Sequence, residues 1–174
     1  IDIYEAQKNE FLKLLLKNCN LKKVIVFVGK KQRVKDLTRA LRAIHIDARA
    51  MHSDLEQKER DQVMLDFRNG KVDVLVATDV VSRGIDVTDV PLVINYDVPE
   101  ENEYYVHRIG RTGRANRHGV SYTFVAGKEM FKLKEIMKTL KIYVTNQKAL
   151  LKKKLASSFV YIEFASFKIS KYFI

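Results

Sequence analysis

Val24-Ile25-Val26-Phe27-Val28 is an unbroken apolar run, β-branched at all but one position. It is too short to be a helix of its own and shows no polar alternation, so both of its faces must be covered. That is the pattern of an interior strand in a parallel sheet. Parallel strands need crossover connections, normally helices, and the flanking sequence supplies them. Tyr4 to Cys19 has Phe11, Leu12, Leu15 and Cys19 at helical spacing, and Lys31 to Ala43 aligns Val34, Leu37, Leu41 and Ile44. Glu56 to Phe67 sets Leu55, Val63, Met64 and Phe67 inward, with Asp54 as its expected cap and Asn69-Gly70 as its stop. Further short strands are predicted at Ala48–Met51, Asp73–Ala77, Leu92–Asn95 and Val120–Val125. Helices are predicted at Asn102–Ile109 and Lys128–Leu140.

This alternation predicts an α/β fold, an open and mainly parallel sheet with helices on both faces. Right-handed crossovers place the C-terminal ends of parallel strands on one edge, where ligands bind in such sheets. The polar clusters of this chain follow the strand ends: Gly29-Lys30, His52-Ser53-Asp54, Thr78-Asp79 and Arg83-Gly84-Ile85-Asp86.

Charge narrows the function less than its total suggests. The 174 residues carry a net +11, which points toward nucleic acid. Yet residues 126–174 hold eleven lysines against three glutamates, and the last arginine is Arg117. An anion site in the body must therefore rest on a few placed arginines. No apolar run approaches the roughly 20 residues of a spanning helix, so no membrane role is expected. The single Cys19 excludes an internal disulfide and suits a reducing, cytoplasmic setting. His45, His52, His107 and His118 lack metal-ligand spacing, so no metal is expected. The chain begins at Ile1, as expected of a piece of something longer.

Three constellations carry chemistry. In His107-Arg108-Ile109-Gly110-Arg111-Thr112-Gly113-Arg114, glycines admit close backbone approach and guanidinium forks suit phosphate oxygens. A bare Gly-Arg repeat of this kind also reads as a solvated loop. Val74 to Asp86 delivers Thr78 to the sheet edge and follows a glycine with Asp86, a carboxylate able to accept from ribose hydroxyls. Alone, it reads equally as a strand and a turn capped by Asp79 and Asp86. Gln57-Lys58-Glu59-Arg60 opens a helix whose N-terminal amides and Arg60 suit a phosphate backbone. Alone, it is an ordinary charged helix face.

Taken in order, these segments resemble the C-terminal RecA-like domain of a DEAD-box RNA helicase, from about Lys22 to Leu140. Val24–Gly29 resembles motif IV, His52–Arg60 motif IVa, Leu75–Asp86 motif V and His107–Arg114 motif VI. His52–Gln57 and Val93–Pro99 are most similar to bacterial RhlE-type members. The resemblance implies that Arg111 and Arg114 are arginine fingers on the ATP γ-phosphate and that His107 bridges to the partner domain. It implies that Gly84 and Asp86 belong to the ATP site, with Asp86 at the ribose. Gly29, Ser53, Arg60, Thr78 and Arg83 would line the RNA backbone, with Gln57 supporting Arg60. Two positions depart from the family pattern. Many relatives have glycine at Ser53 and an Asn-Thr or Gly-Thr pair at Gly29-Lys30, where Lys30 can compensate with charge.

The sequence contains no G-x-x-x-x-G-K-[ST] loop, no D-E-A-D and no S-A-T. The resemblance therefore implies half an enzyme. An N-terminal RecA-like domain would supply the phosphate cradle and hold Mg2+, this chain would close on it as a monomer, and the isolated chain would be inactive. Three segments are expected: a lead-in helix at 1–21, the helicase C-terminal unit at 22–145, and a basic, aromatic tail at 146–174. In the tail, Phe159–Ile162 reads as a strand, a docking segment or a non-native appendage. Two alternatives stand beside this reading, a stand-alone nucleic-acid-binding module and a DNA-directed superfamily-2 helicase domain.

Overall fold

The computed structural model describes residues 3–19, 22–82, 87, 90–112, 119–126, 129–140 and 162–167. Helix α1 (Ile3–Cys19) leads into β1 (Val24–Phe27), α2 (Lys31–Arg42), β2 (Ala48–Met51), α3 (Gln57–Arg68) and β3 (Val74–Ala77). A short α4 (Asp79–Ser82), β4 (Leu92–Asn95), α5 (Asn102–Ile109), β5 (Gly119–Phe124), α6 (Glu129–Leu140) and β6 (Ile162–Phe167) follow. The sheet order is β2-β3-β1-β4-β5-β6. All neighbours pair in parallel except β5 and β6, which are antiparallel.

The branched apolar runs lie where their composition requires. Every residue of β1, β3 and β4 is buried. Alternate side chains feed two cores on opposite faces. Val24 and Val26 join Phe11, Leu12 and Leu16 of α1 and Val34, Leu37 and Leu41 of α2. Ile25 and Phe27 join Met64 and Phe67 of α3. A third cluster joins Tyr105 and Ile109 of α5 to Leu133 and Ile136 of α6. Among the described residues no helix is long and apolar enough to cross a membrane.

Two local expectations are corrected. Asp54 does not cap α3, because Lys31 and Lys35 take its carboxylate at 2.7 and 3.0 Å. Glu56 is the N-cap instead, and its backbone amide donates to the Glu59 carboxylate at 2.8 Å. In the tail the strand runs from Ile162 to Phe167, so it shares only Ile162 with the expected segment, and Phe159–Tyr161 lie outside the described residues. Gly70 ends α3 with φ +71°, the left-handed conformation that favours glycine.

Candidate functional site

The strand registers align the C-terminal ends. Phe27 is level with Ala77 and Asn95, and Ala77 with Met51. Just beyond this line, Val28 donates to the Ala77 carbonyl, Thr78 to Met51 and Tyr96 to Phe27. The residues following β1, β2, β3 and β4 therefore form one rim. Helix α2 leaves β1 toward one face, whereas Val81 of α4, following β3, packs on the other. That reversal is the topological switch point of an open α/β sheet.

Gly29 is exposed on the rim, and its amide donates to Asp97 Oδ2 at 2.8 Å. A Cβ on Gly29 would meet nothing closer than that oxygen at 3.5 Å, an ordinary contact. Ser53 is exposed, and its carbonyl accepts from the Arg60 guanidinium at 3.0 Å. Arg60 Nε is enclosed without a hydrogen-bond partner. The Gln57 side-chain amide donates to Asp61 Oδ1 at 2.9 Å, as its i,i+4 spacing on α3 favours. Thr78 is buried at the β3 end. Arg83, Gly84, Asp86 and Arg114 lie outside the described residues.

His107 is exposed in the last turn of α5. Arg111 follows in a turn fixed at several points. Its amide donates to the Arg108 carbonyl, its carbonyl accepts from Val90, and the Thr112 hydroxyl donates to the Val90 carbonyl at 2.5 Å. Arg111 Nε donates to the His107 carbonyl at 3.1 Å.

Charge on the rim is organised by groups the sequence reading left unassigned. Arg108 is wholly buried and bidentate on Asp79, at 2.5 and 2.7 Å. It also donates to the Asp97 carbonyl at 2.6 Å and to Asn95 Oδ1 at 3.3 Å, and it lies over the Phe27 ring at 5.4 Å. Arg108 thereby ties α5 to the ends of β3 and β4. Its signal was available, because Tyr105, Arg108 and Ile109 share the inner face of one helix. A cation on such a face demands a buried partner.

Asp97 joins the Gly29 amide to Arg33, at 2.8 Å, while Arg33 also pairs with Glu5 of α1 at 3.0 Å. Burial alone would lower the Arg33 pKa, but Asp97 and Glu5 outweigh it and raise the value. Lys8 adds bonds to the Tyr96 carbonyl at 3.0 Å and Glu129 at 2.7 Å. Hydrogen bonds from Lys31 and Lys35 pull the Asp54 carboxyl down to about 2. Burial, followed by the nearby Lys35, lowers the His52 pKa below its ordinary 6.5, and its Nδ1 is enclosed without a partner. Among the described residues no three His, Cys, Asp or Glu side chains group as metal ligands.

The parallel sheet, its switch-point rim and the arginine-bearing turn beyond α5 define a RecA-like α/β domain. A family model described as the helicase conserved C-terminal domain matches residues 7–116. The chain resembles the C-terminal domain of the DEAD-box protein Dbp5, with TM-score 0.72 and 37% identity over 78% of this chain and 79% of that one. It belongs to the DEAD-box helicase family, as a C-terminal helicase domain. Curated relatives include the ATP-dependent RNA helicase FAL1 of Kluyveromyces lactis, 46% identical over 76% of this chain and 33% of the relative. Another is the ATP-dependent RNA helicase CshA of Listeria monocytogenes, 45% identical over 81% of this chain and 27% of the relative. The chain thus spans a third or less of the length of these relatives.

Proposed function

We propose that this chain is the C-terminal half of an ATP-dependent RNA helicase that melts short RNA duplexes locally. An N-terminal RecA-like domain carries the ATP loop and holds Mg2+, and this domain closes on it. Arg111 and Arg114 then stabilise the γ-phosphate as charge builds on it, while His107 bridges to the partner domain. Gly84 and Asp86 serve the nucleotide, Asp86 at the ribose. Gly29, Ser53, Arg60, Thr78 and Arg83 follow the RNA backbone. Gln57 supports Arg60 indirectly, by holding the first turn of α3 through Asp61. Contacts to phosphates and 2′-hydroxyls give little sequence preference.

The observation that carries this reading is the Arg111 turn. It grows from the helix that Arg108 anchors to Asp79, and Val90 pins it from the other side. A guanidinium on so firmly held a backbone suits a group that must meet a phosphate without reorganising. The names of FAL1 and CshA, both RNA helicases using ATP, support the substrate and the nucleotide.

The functional unit is taken as residues 22–145, with 1–21 leading in and 146–174 as a basic tail. The protein acts as a cytoplasmic monomer, and its bacterial RhlE-type placement rests on His52–Gln57 and Val93–Pro99. The test uses the full-length protein. Arg111→Ala should lower RNA-stimulated ATP hydrolysis by about 10³-fold or more while leaving nucleotide-free RNA binding intact. Unchanged turnover would discard the finger assignment.

A further inference from the structure

The turn that leaves β1 is held at both of its residues. The Gly29 amide donates to Asp97 Oδ2 at 2.8 Å, and the Lys30 carbonyl accepts from the Val34 amide at 3.1 Å. The second of these bonds belongs to the first turn of α2, whereas the first comes from a side chain 68 residues away. Glycine has more backbone freedom than any other residue, so a turn that starts on Gly29 keeps one conformation only if something fixes it. A bond to its amide fixes the whole planar peptide unit.

Asp97 is itself held from α1. Its other oxygen, Oδ1, accepts from Arg33 at 2.8 Å and lies 3.8 Å from Lys8 Nζ. Arg33 is gripped in turn by both Glu5 oxygens, at 3.0 and 3.2 Å. Lys8 is buried and reaches the Tyr96 carbonyl and Glu129. The Tyr96 hydroxyl donates to Asn9 Oδ1 at 2.9 Å and lies 3.2 Å from the Glu5 carbonyl. Glu5, Lys8 and Asn9 share one face of α1, and through Asp97 that face acts on Gly29.

We propose that Asp97 is a positioning residue for RNA binding: it sets the Gly29-Lys30 backbone, and Glu5 and Lys8 of α1 set Asp97. This rests on the reading that Gly29 follows the RNA backbone. The sign of the cluster separates holding from binding. Asp97, Glu5 and Glu129 are three anions against two cations, Arg33 and Lys8. A net negative cluster repels phosphate, so what it gives an RNA path is geometry. With its amide fixed by Asp97, exposed Gly29 meets the strand without reorganising, and exposed Lys30 extends beside it from a backbone already in place. Helix α1 is thus a working part of the rim and not only its lead-in.

The test is RNA-stimulated ATP hydrolysis by the full-length protein with an oligouridylate, read as the half-saturating RNA concentration and as kcat. In Asp97→Ala, Arg33 keeps Glu5, Lys8 keeps Glu129, and the backbone carbonyl at 97 still accepts from Arg108. Half-saturating RNA should rise about tenfold, the scale of one charge-assisted contact, with kcat at saturating RNA within twofold of the parent. Glu5→Gln leaves one acceptor for Arg33 and should raise it about threefold; it carries the test alone if circular dichroism shows Asp97→Ala unfolded. Both substitutions delete negative charge beside a polyanion, so a role exerted only through the electric field predicts tighter RNA binding, and tightening would overturn the proposal. So would a fall in kcat at unchanged half-saturation, the signature of a residue that merely keeps the protein folded. Arg60→Ala is the reference for the RNA path itself. If it weakens RNA binding and the other two do not, the path stands and the positioning role falls. If none of the three moves half-saturation, the path is wrong and the proposal falls with it.

Discussion

Arg108 is completely enclosed, with its guanidinium spread over Asp79, Asn95 and the Asp97 carbonyl. Arg60, beside the neighbouring strand end, gives one bond to the Ser53 carbonyl and keeps Nε inside the protein without an acceptor. Both are arginines on helices that meet the rim, and both lie in segments that resemble helicase motifs. The difference lies in how completely the fold satisfies them. An arginine whose donors are consumed internally locks elements together. One that is only half-buried, with a single bond from its guanidinium tip, keeps the other donors of that tip for an external acceptor. Motif membership alone does not distinguish the two.

Replacing each arginine breaks the comparison most directly. Arg108→Met removes both bonds to Asp79 from a buried site and should cost roughly 3–5 kcal/mol, read as a lower urea midpoint. A midpoint equal to the parent's would mean that the seam between α5 and β3 is not structural. Arg60→Ala should lose about 1 kcal/mol or less of stability, the scale of one hydrogen bond. In the full-length protein it should weaken RNA binding about tenfold, the scale of one charge-assisted contact. A large stability loss with unchanged RNA binding would reverse the roles assigned to the two arginines.

The smallest effect concerns His52, which is buried at the end of β2. Its pKa in the folded chain is lowered, first by burial and then by Lys35. Between that lowered value and the ordinary 6.5 the unfolded chain binds more protons, so stability rises with pH. The contribution is therefore complete above 6.5 and is lost as pH falls through the folded value. Parent and His52→Asn should differ in the slope of their urea midpoints from pH 7.5 to about 5.5, a window set by the ordinary histidine value. Asp54 titrates near 2, well below this range. Parallel slopes would show that His52 is protonated as readily in the folded chain as in the unfolded one.

Much of the architecture was legible because one physical demand governs it. A run such as Val74-Leu75-Val76-Ala77 has no polar face to give to water, so its burial on both sides follows from composition. Helix α5 lay where its pattern put it, at Asn102–Ile109. The cap of α3 was harder to read. The sequence pattern starts the helix at Glu56 with Asp54 as its cap, but Lys31 and Lys35, arriving from a different segment, take the Asp54 carboxylate and the helix starts one residue later, with Glu56 as the N-cap. The tail strand was harder still, because a basic and aromatic stretch carries little register information and its pairing with β5 is long-range.

At the rim, the sequence identified the residue types and the strand ends that carry them, since those follow from local period and strand boundaries. It also singled out Arg111 and Arg60 as guanidinium groups suited to phosphate. What it left open was the bookkeeping of donors and acceptors. Arg108 meets Asp79 across 29 residues and Gly29 meets Asp97 across 68. Such pairs form only when the crossovers bring strand ends level, so no local pattern announces them. Hydrophobic periodicity is a property of neighbouring residues and fixes the scaffold. Charge pairing is a property of distances in space, and only the folded chain decides which cation is spent on the fold and which faces outward.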